Sequence, residues 1–203
     1  MIYAVVLAAG RSERMGTQKL LLPLGGKPLI ARVVDELSRS QLAGIVVVVG
    51  RASERLREGL AGRNVQLVEN LDPASDMLGS LKCGLRALPT HCQALLVVLG
   101  DQPAITPILV DALIRCLRTG DETIVVPTRN GHRGHPVLIA SQYFEGLLNC
   151  SHSEGLRGFL EVHASETFGV PVSDPASLED MDTPADYAKQ QRFFCQADTA
   201  SPL

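Results

Sequence analysis

Short runs of unbroken apolar residues alternate along this chain with segments whose apolar positions recur every three to four residues. Residues 2–7 form one such run, ending in Ala8-Ala9-Gly10. Unbroken apolar character suits a strand covered on both faces. The stretch from Gly10 to Lys27 reads as a long polar, glycine-rich loop, after which Pro28 opens a helix reaching about Ser40. Residues 45–49 are five consecutive β-branched residues closed by Gly50, the plainest strand signal in the chain. Helices are predicted over 53–60 and 77–88, with Asp76 as N-cap of the second, and a strand over 65–68. A further apolar strand covers 94–99 and ends in Gly100-Asp101-Gln102-Pro103, and Thr106 caps a helix over 107–117.

Short strands at 124–126 and 137–139 flank the loop from Arg129 to Pro136. Helices near 141–148 and 155–162, a last strand near 167–170, and a final helix from Asp182-Thr183-Pro184 to about Gln191 complete the pattern. Apolar strands alternating with amphipathic helices specify an α/β sandwich with a mostly parallel sheet. The chain reads as one domain over 1–192, with 193–203 as a flexible C-terminal tail. It carries no internal repeat and no low-complexity segment.

Composition narrows the function classes. The 203 residues are 45% apolar and 20% charged, with a net charge of −3. A small negative net charge argues against a broad contact with a nucleic-acid backbone, and 4% aromatic content with no Trp argues against base stacking. No apolar run nears the ~20 residues of a membrane span. Cys83, Cys92, Cys116, Cys150 and Cys195 are odd in number and widely spaced, without a Cys-x-x-C pair. Reduced thiols in the cytoplasm are the simplest reading.

Ligands of open α/β sheets bind at the carboxyl ends of strands, so the chemistry is sought there. The first candidate is the segment Leu7-Ala8-Ala9-Gly10-Arg11 with Arg14, Gly16 and Lys19. Small residues let backbone N–H groups approach a phosphate chain, and the three cations add positive charge. The spacing is neither a P-loop nor a dinucleotide fingerprint. A mobile loop with solvated charges remains the alternative. The second candidate is Asp101, at the tip of a buried strand, suited either to hold a hard cation such as Mg²⁺ or to shape a turn before Pro103. The third is Asp182, in Asp180-Met181-Asp182-Thr183-Pro184-Ala185-Asp186, where either Asp182 or Thr183 can cap the final helix. His132 and His135 flank Gly134 without a carboxylate or Cys nearby in sequence, which favours substrate contact or loop chemistry over metal binding.

Taken together and in this order, Leu7 to Gly10, Arg14-Met15-Gly16, Lys19, Gly100 to Pro103 and Asp180 to Asp186 resemble the nucleotidyltransferases of molybdenum-cofactor maturation, within the superfamily of small NTP transferases. The likeness spans about residues 1–190. Ala9, the run Lys19-Leu20-Leu21-Leu22-Pro23 and the loop Arg133-Gly134-His135-Pro136 look closer to its cytidylyltransferase branch. The chain departs from the family where a Gly-Asp-x-Gly-x-Arg segment is common: here stands Ser153-Glu154-Gly155-Leu156-Arg157.

The resemblance implies a Rossmann-like three-layer sandwich of the nucleotide-diphospho-sugar transferase type, with a mixed sheet. It implies transfer of a nucleoside monophosphate, CMP from CTP, to a phosphorylated acceptor such as molybdopterin, with release of pyrophosphate. A molybdoenzyme or its chaperone is left open as a further partner. Residues 7–11 with Arg14, Lys19, Gly79 and Ser80 would bind the nucleotide. Asp101 and Asp182 would hold Mg²⁺, Arg11, Lys19 and Asp101 would act in catalysis, and Arg133, Gly134 and His135 would face the acceptor. Rival readings are an NTP transferase with another base or a sugar phosphate, an oxidoreductase on the same scaffold, and a nucleotide-binding partner of a molybdoenzyme without transferase activity.

Overall fold

Nearly every residue of the central strands is buried, because the sheet is covered on both faces. The computed structural model describes residues 1–10, 18–51, 53–72, 76–151, 155–174 and 178–199. Along β1 (Ile2–Ala8), Ala4, Val6 and Ala8 enter one apolar cluster and Val5 the other. The same alternation runs through β4 (Gly44–Val49) and β6 (Ala94–Leu99). A two-residue period on a doubly covered sheet therefore shows in sequence as an unbroken apolar run.

Helices supply the outer layers. Leu29, Ile30, Val33 and Val34 of α1 (Leu29–Leu37), Leu56 of α2 (Glu54–Gly59), and Leu109, Val110 and Leu113 of α4 (Pro107–Thr119) cover the first face. Leu78, Leu81 and Leu85 of α3 (Met77–Arg86), Leu147 of α5 (Phe144–Asn149), and Leu156 and Phe159 of α6 (Gly155–Val162) cover the second. Helices this short are marginal alone, so their apolar stripes, at roughly 1.5–3 kcal/mol per buried large side chain, decide their formation.

The remaining sheet strands are β5 (Gln66–Glu69), β7 (Ile124–Arg129), β8 (His132–Arg133), β9 (Val137–Ala140) and β10 (Thr167–Pro171). The order is β10-β7-β9-β6-β1-β4-β5, with β8 on β7. β9 runs antiparallel to both β6 and β7, β8 is antiparallel to β7, and the other pairs are parallel. The sheet is thus mixed and mostly parallel, and three layers form an α/β sandwich as the pattern predicts. The carboxyl ends of β1, β4 and β6 lie side by side, with Leu7 opposite both Val48 and Leu99.

Several local features differ from the sequence reading, among them a short strand, β8, inside the loop expected from Arg129 to Pro136. The loop expected from Gly10 to Lys27 contains a small antiparallel hairpin, β2 (Pro23–Leu24) with β3 (Lys27–Pro28), so the first helix begins at Leu29 instead of Pro28. The final helix, expected to end near Gln191, is α7 (Pro184–Thr199) and runs through most of the stretch read as a flexible tail. Phe194 explains the extension. It packs with Leu24 and Ala104, and the Arg32 guanidinium lies 4.1 Å from its ring centre while donating to the Leu24 carbonyl. Residues 200–203 lie outside the described residues.

Gly84 marks where α3 comes closest to the sheet. A Cβ there would lie 2.4 Å from Val5 Cγ1 and 2.9 Å from Val48 Cγ2. Gly84→Ala is therefore expected to destabilise the protein by about 1–3 kcal/mol through overpacking, against a helix-propensity gain of ~1 kcal/mol. Gly146→Ala in α5, where the new Cβ would meet only Phe159 at an ordinary 3.5 Å, serves as control and should be neutral or mildly stabilising. Urea unfolding midpoints of both variants decide this.

Candidate active site

Three distant stretches of chain meet at the carboxyl ends of β1 and β6. β6 ends at Leu99, and Gly100 donates its N–H to the Leu7 carbonyl at 3.1 Å. A Cβ on Gly100 would stand 3.0 Å from that oxygen, with Ile30 and Leu20 close behind. Glycine thus lets the tip of β6 lie tightly on β1, whose Leu7 pairs with Leu99 just before Asp101. Lys19 opens a 3-10 turn, Lys19–Leu21, whose Leu20 is buried in the first apolar cluster. The turn directs the Lys19 ammonium inward, where it donates to Asp101 Oδ2 at 2.5 Å and to Asp182 Oδ1 at 2.7 Å.

The sequence leaves open which residue caps α7. Thr183 does so: its Oγ1 accepts from the Asp186 N–H at 3.2 Å, and the Asp186 carboxylate accepts from the Thr183 N–H at 2.8 Å. This reciprocal pair is a capping box with Asp in the returning position. The Asp182 side chain is turned to Lys19 instead.

The electrostatics follow from this crowding. Burial works to lower the pKa of Lys19, but hydrogen bonds to Asp101 and Asp182, with their charges, outweigh it and raise the pKa above its ordinary 10.5. The ammonium is therefore charged at neutral pH. Asp180, an exposed residue whose carboxyl tucks against the buried Gln102 amide, is raised above the usual carboxylate value by desolvation and by the charges of Asp101 and Asp182. The two carboxylate oxygens thus converge on one nitrogen, at 2.5 and 2.7 Å. Among the described residues, no group of three or more His, Cys, Asp and Glu side chains surrounds a common point. Asp101 and Asp182 thus offer two hard oxygen donors rather than a full protein cage.

The other predicted residues take varied places. Leu7, Ala8, Ala9 and Gly10 line the tip of β1, and Gly50 at the end of β4 sits against Ala9. Arg11 and Arg14 lie outside the described residues. Gly79 and Ser80 stand in the first turn of α3, capped by Asp76, whose carboxylate accepts from the Gly79 N–H at 2.8 Å. Ser80 is buried and accepts from Asn70, which follows β5. These residues border the same end of the sheet, since the Asn70 N–H reaches the Val49 carbonyl at 2.8 Å.

The Arg133-Gly134-His135 loop divides. Arg133 is exposed, and its guanidinium reaches the carbonyls of Leu160 and Ala164, around the end of α6. Gly134 packs under Leu178. His135 turns inward, beside the Val97 carbonyl and within the field of Asp101. Gln102, Asp180 and Met181 are site neighbours that the sequence reading did not single out. Their signal was position alone: each lies within two residues of Asp101 or Asp182.

Burial lowers the pKa of His135 below its ordinary 6.5, although the Val97 carbonyl and the Asp101 charge oppose the shift. The unfolded chain then takes up the proton first as pH falls. The stability held by neutral His135 is fully present above pH ~6.5 and declines as pH drops below it toward the lower native value. Denaturant unfolding measured from pH 7.5 to 5 should show this slope, and His135→Asn should remove His135's share of it.

Residues 4–167 match the family model described as a MobA-like NTP transferase domain. The molybdenum cofactor cytidylyltransferase of Escherichia coli K12 is 26% identical over 200 residues, covering 96% of this chain and 98% of that protein. The bifunctional protein GlmU of Symbiobacterium thermophilum is 42% identical over 120 residues, and the aligned stretch covers 56% of this chain but only 24% of that longer protein. Among solved structures, a nucleotidyl transferase from Methanothermobacter thermautotrophicus superposes with a TM-score of 0.85 at 26% identity, covering 97% of this chain and 99% of that one. A homologue of Mycobacterium tuberculosis Rv0371c, from Mycobacterium sp. strain JC1, superposes with a TM-score of 0.83 at 28% identity over 97% and 98%.

Proposed function

This chain belongs to the MobA-like NTP transferase family, and from that membership we propose that it transfers CMP from CTP to a phosphorylated acceptor of the molybdopterin type, releasing pyrophosphate. The observation that carries the reading is the convergence of Lys19, Asp101 and Asp182 at the tips of β1 and β6. The choice of CTP and of a molybdopterin acceptor rests on the end-to-end likeness to the cytidylyltransferase of E. coli and on the Arg133-Gly134-His135-Pro136 loop.

A phosphate oxygen of the acceptor forms the new bond to the α-phosphorus, and the bond from that phosphorus to the β-phosphate bridging oxygen breaks. The acceptor is already an anion, so no strong general base is required, and catalysis rests on positioning and charge neutralisation. Backbone from Ala8 to Arg11 would cradle the triphosphate, and Arg11 or Arg14 would hold the leaving pyrophosphate. Lys19 neutralises charge between the α- and β-phosphates. Gly79 and Ser80 border the base or ribose, while Gly134 and His135, with Arg133 at the rim, face the acceptor. Asp101 and Asp182 fit Mg²⁺, as two hard oxygen donors that already converge on a cationic group. When bound, such an ion supplies charge neutralisation at the α-phosphate.

The test is pyrophosphate release from CTP, GTP, ATP and UTP, with molybdopterin-type acceptors and Mg²⁺. Release dependent on CTP and acceptor supports the proposal. Release with a sugar phosphate alone, or none with any NTP, overturns it.

A further inference from the structure

Gln102, in the turn after β6, is 3% exposed, yet it carries a polar amide. Its Nε2 donates to Asp180 Oδ1 at 2.7 Å, across 78 residues of sequence. Its Oε1 is buried and has no hydrogen-bond partner among the described residues. A half-satisfied buried amide costs free energy that a leucine of similar volume would not. Packing alone therefore does not account for glutamine here.

The same turn holds a second clasp. The Met181 N–H donates to the Asp101 carbonyl at 3.0 Å, and the Met181 side chain is fully buried in the first apolar cluster. Asp180 and Asp182 flank this anchored methionine. One reaches Gln102 and the other reaches Lys19, which also holds Asp101.

We infer that Gln102 is a positioning residue, which through Asp180 clips the segment before α7 onto the Asp101 turn and so sets the separation of the Asp101 and Asp182 carboxylates. The inference rests on the reading above that those carboxylates hold a divalent cation. Neither Gln102 nor Asp180 need touch the ion.

Mn²⁺ alone, titrated into the full chain and followed by loss of the free-ion EPR signal, tests this without turnover. Gln102→Leu should weaken Mn²⁺ binding by about ten- to a hundredfold. Its urea midpoint should be unchanged or higher, because the unpaired buried oxygen is gone. A residue of purely structural importance would instead lose stability and keep its metal affinity. Asp180→Ala should match Gln102→Leu, and the double variant should be no worse than either single one. Asp180→Asn retains an oxygen acceptor for the amide and should stay within about threefold of wild type.

Wild-type Mn²⁺ affinity in Gln102→Leu overturns the inference and leaves the transferase reading standing. So does an Asp180→Asn variant as weak as Asp180→Ala, since charge and not position would then be at work. A wild-type chain that binds Mn²⁺ with this dependence but releases no pyrophosphate from any NTP supports the inference while overturning the transferase reading. A wild-type chain that binds no Mn²⁺ overturns the inference.

Discussion

Asp101→Ala is expected to lower kcat for pyrophosphate release by about a thousandfold or more while the protein folds normally. The rate effect follows from position. Asp101 follows the tip of β6, which lies against the end of β1 proposed to cradle the phosphates, and is one of two carboxylates converging on a single point. Its loss would remove half of the protein's oxygen donors to the ion. Stability should change by less than ~1 kcal/mol, because the pair is partly solvated and two effects oppose each other. Lys19 loses one partner but keeps Asp182, and Asp180 is relieved of a neighbouring negative charge. Asp101→Asn separates charge from shape, since its amide oxygen can still accept from Lys19; it should be nearly as inactive as the alanine variant. Circular dichroism and urea unfolding, run beside steady-state kinetics, check both halves. A kcat within fivefold of wild type would remove Asp101 from the metal role.

The sheet was legible in the sequence because its central strands are covered on both faces. Runs such as 45–49 and 94–99 admit no polar residue, and Asp76 and Thr106 announced the helices that follow them. Direction was less legible. Residues 137–139 look the same whether the strand runs parallel or antiparallel, and its reversal follows from the connection through Asn130-Gly131 that pairs β8 with β7. Asn-Gly and the Gly25-Gly26 pair are both tight-hairpin signals that the longer loop composition concealed. The end of α7 was hidden for another reason. Phe194 is held by Arg32, Leu24 and Ala104 from remote parts of the chain, and no local pattern in 193–199 records that contact.

At the site, residue type alone left Lys19, Asp101 and Asp182 open between function and plain loop, turn or cap chemistry; the family resemblance grouped them, and the fold brings the three side chains together. Sequence could not settle whether Asp182 capped the helix. Thr183 takes the cap, and that exchange releases Asp182 toward Lys19. Nor could it find Gln102, whose role depends on a partner 78 residues away and on a buried oxygen visible only in three dimensions.

Lys19→Ala is expected to separate two functions of one side chain. Its ammonium is charged at neutral pH and occupies the point between Asp101 and Asp182 where a divalent ion would bind. An incoming ion must displace it, and a single and a double positive charge ~4 Å apart repel by roughly 2–8 kcal/mol in surroundings this polar. Without the ammonium, Mn²⁺ added to the nucleotide-free chain should bind at least about fivefold more tightly than to wild type, as the EPR titration would read directly. Turnover should move the opposite way. A displaced ammonium is free to turn to the phosphates, and its removal leaves the charge building between the α- and β-phosphates uncompensated, at a cost of about a hundredfold or more in kcat. Lys19→Arg keeps the charge but spreads it over a planar fork of different geometry in place of a compact ammonium, and should recover only part of the rate. Tighter metal binding together with slower pyrophosphate release is an outcome that a surface charge cannot produce. Unchanged values of both would take Lys19 out of the site.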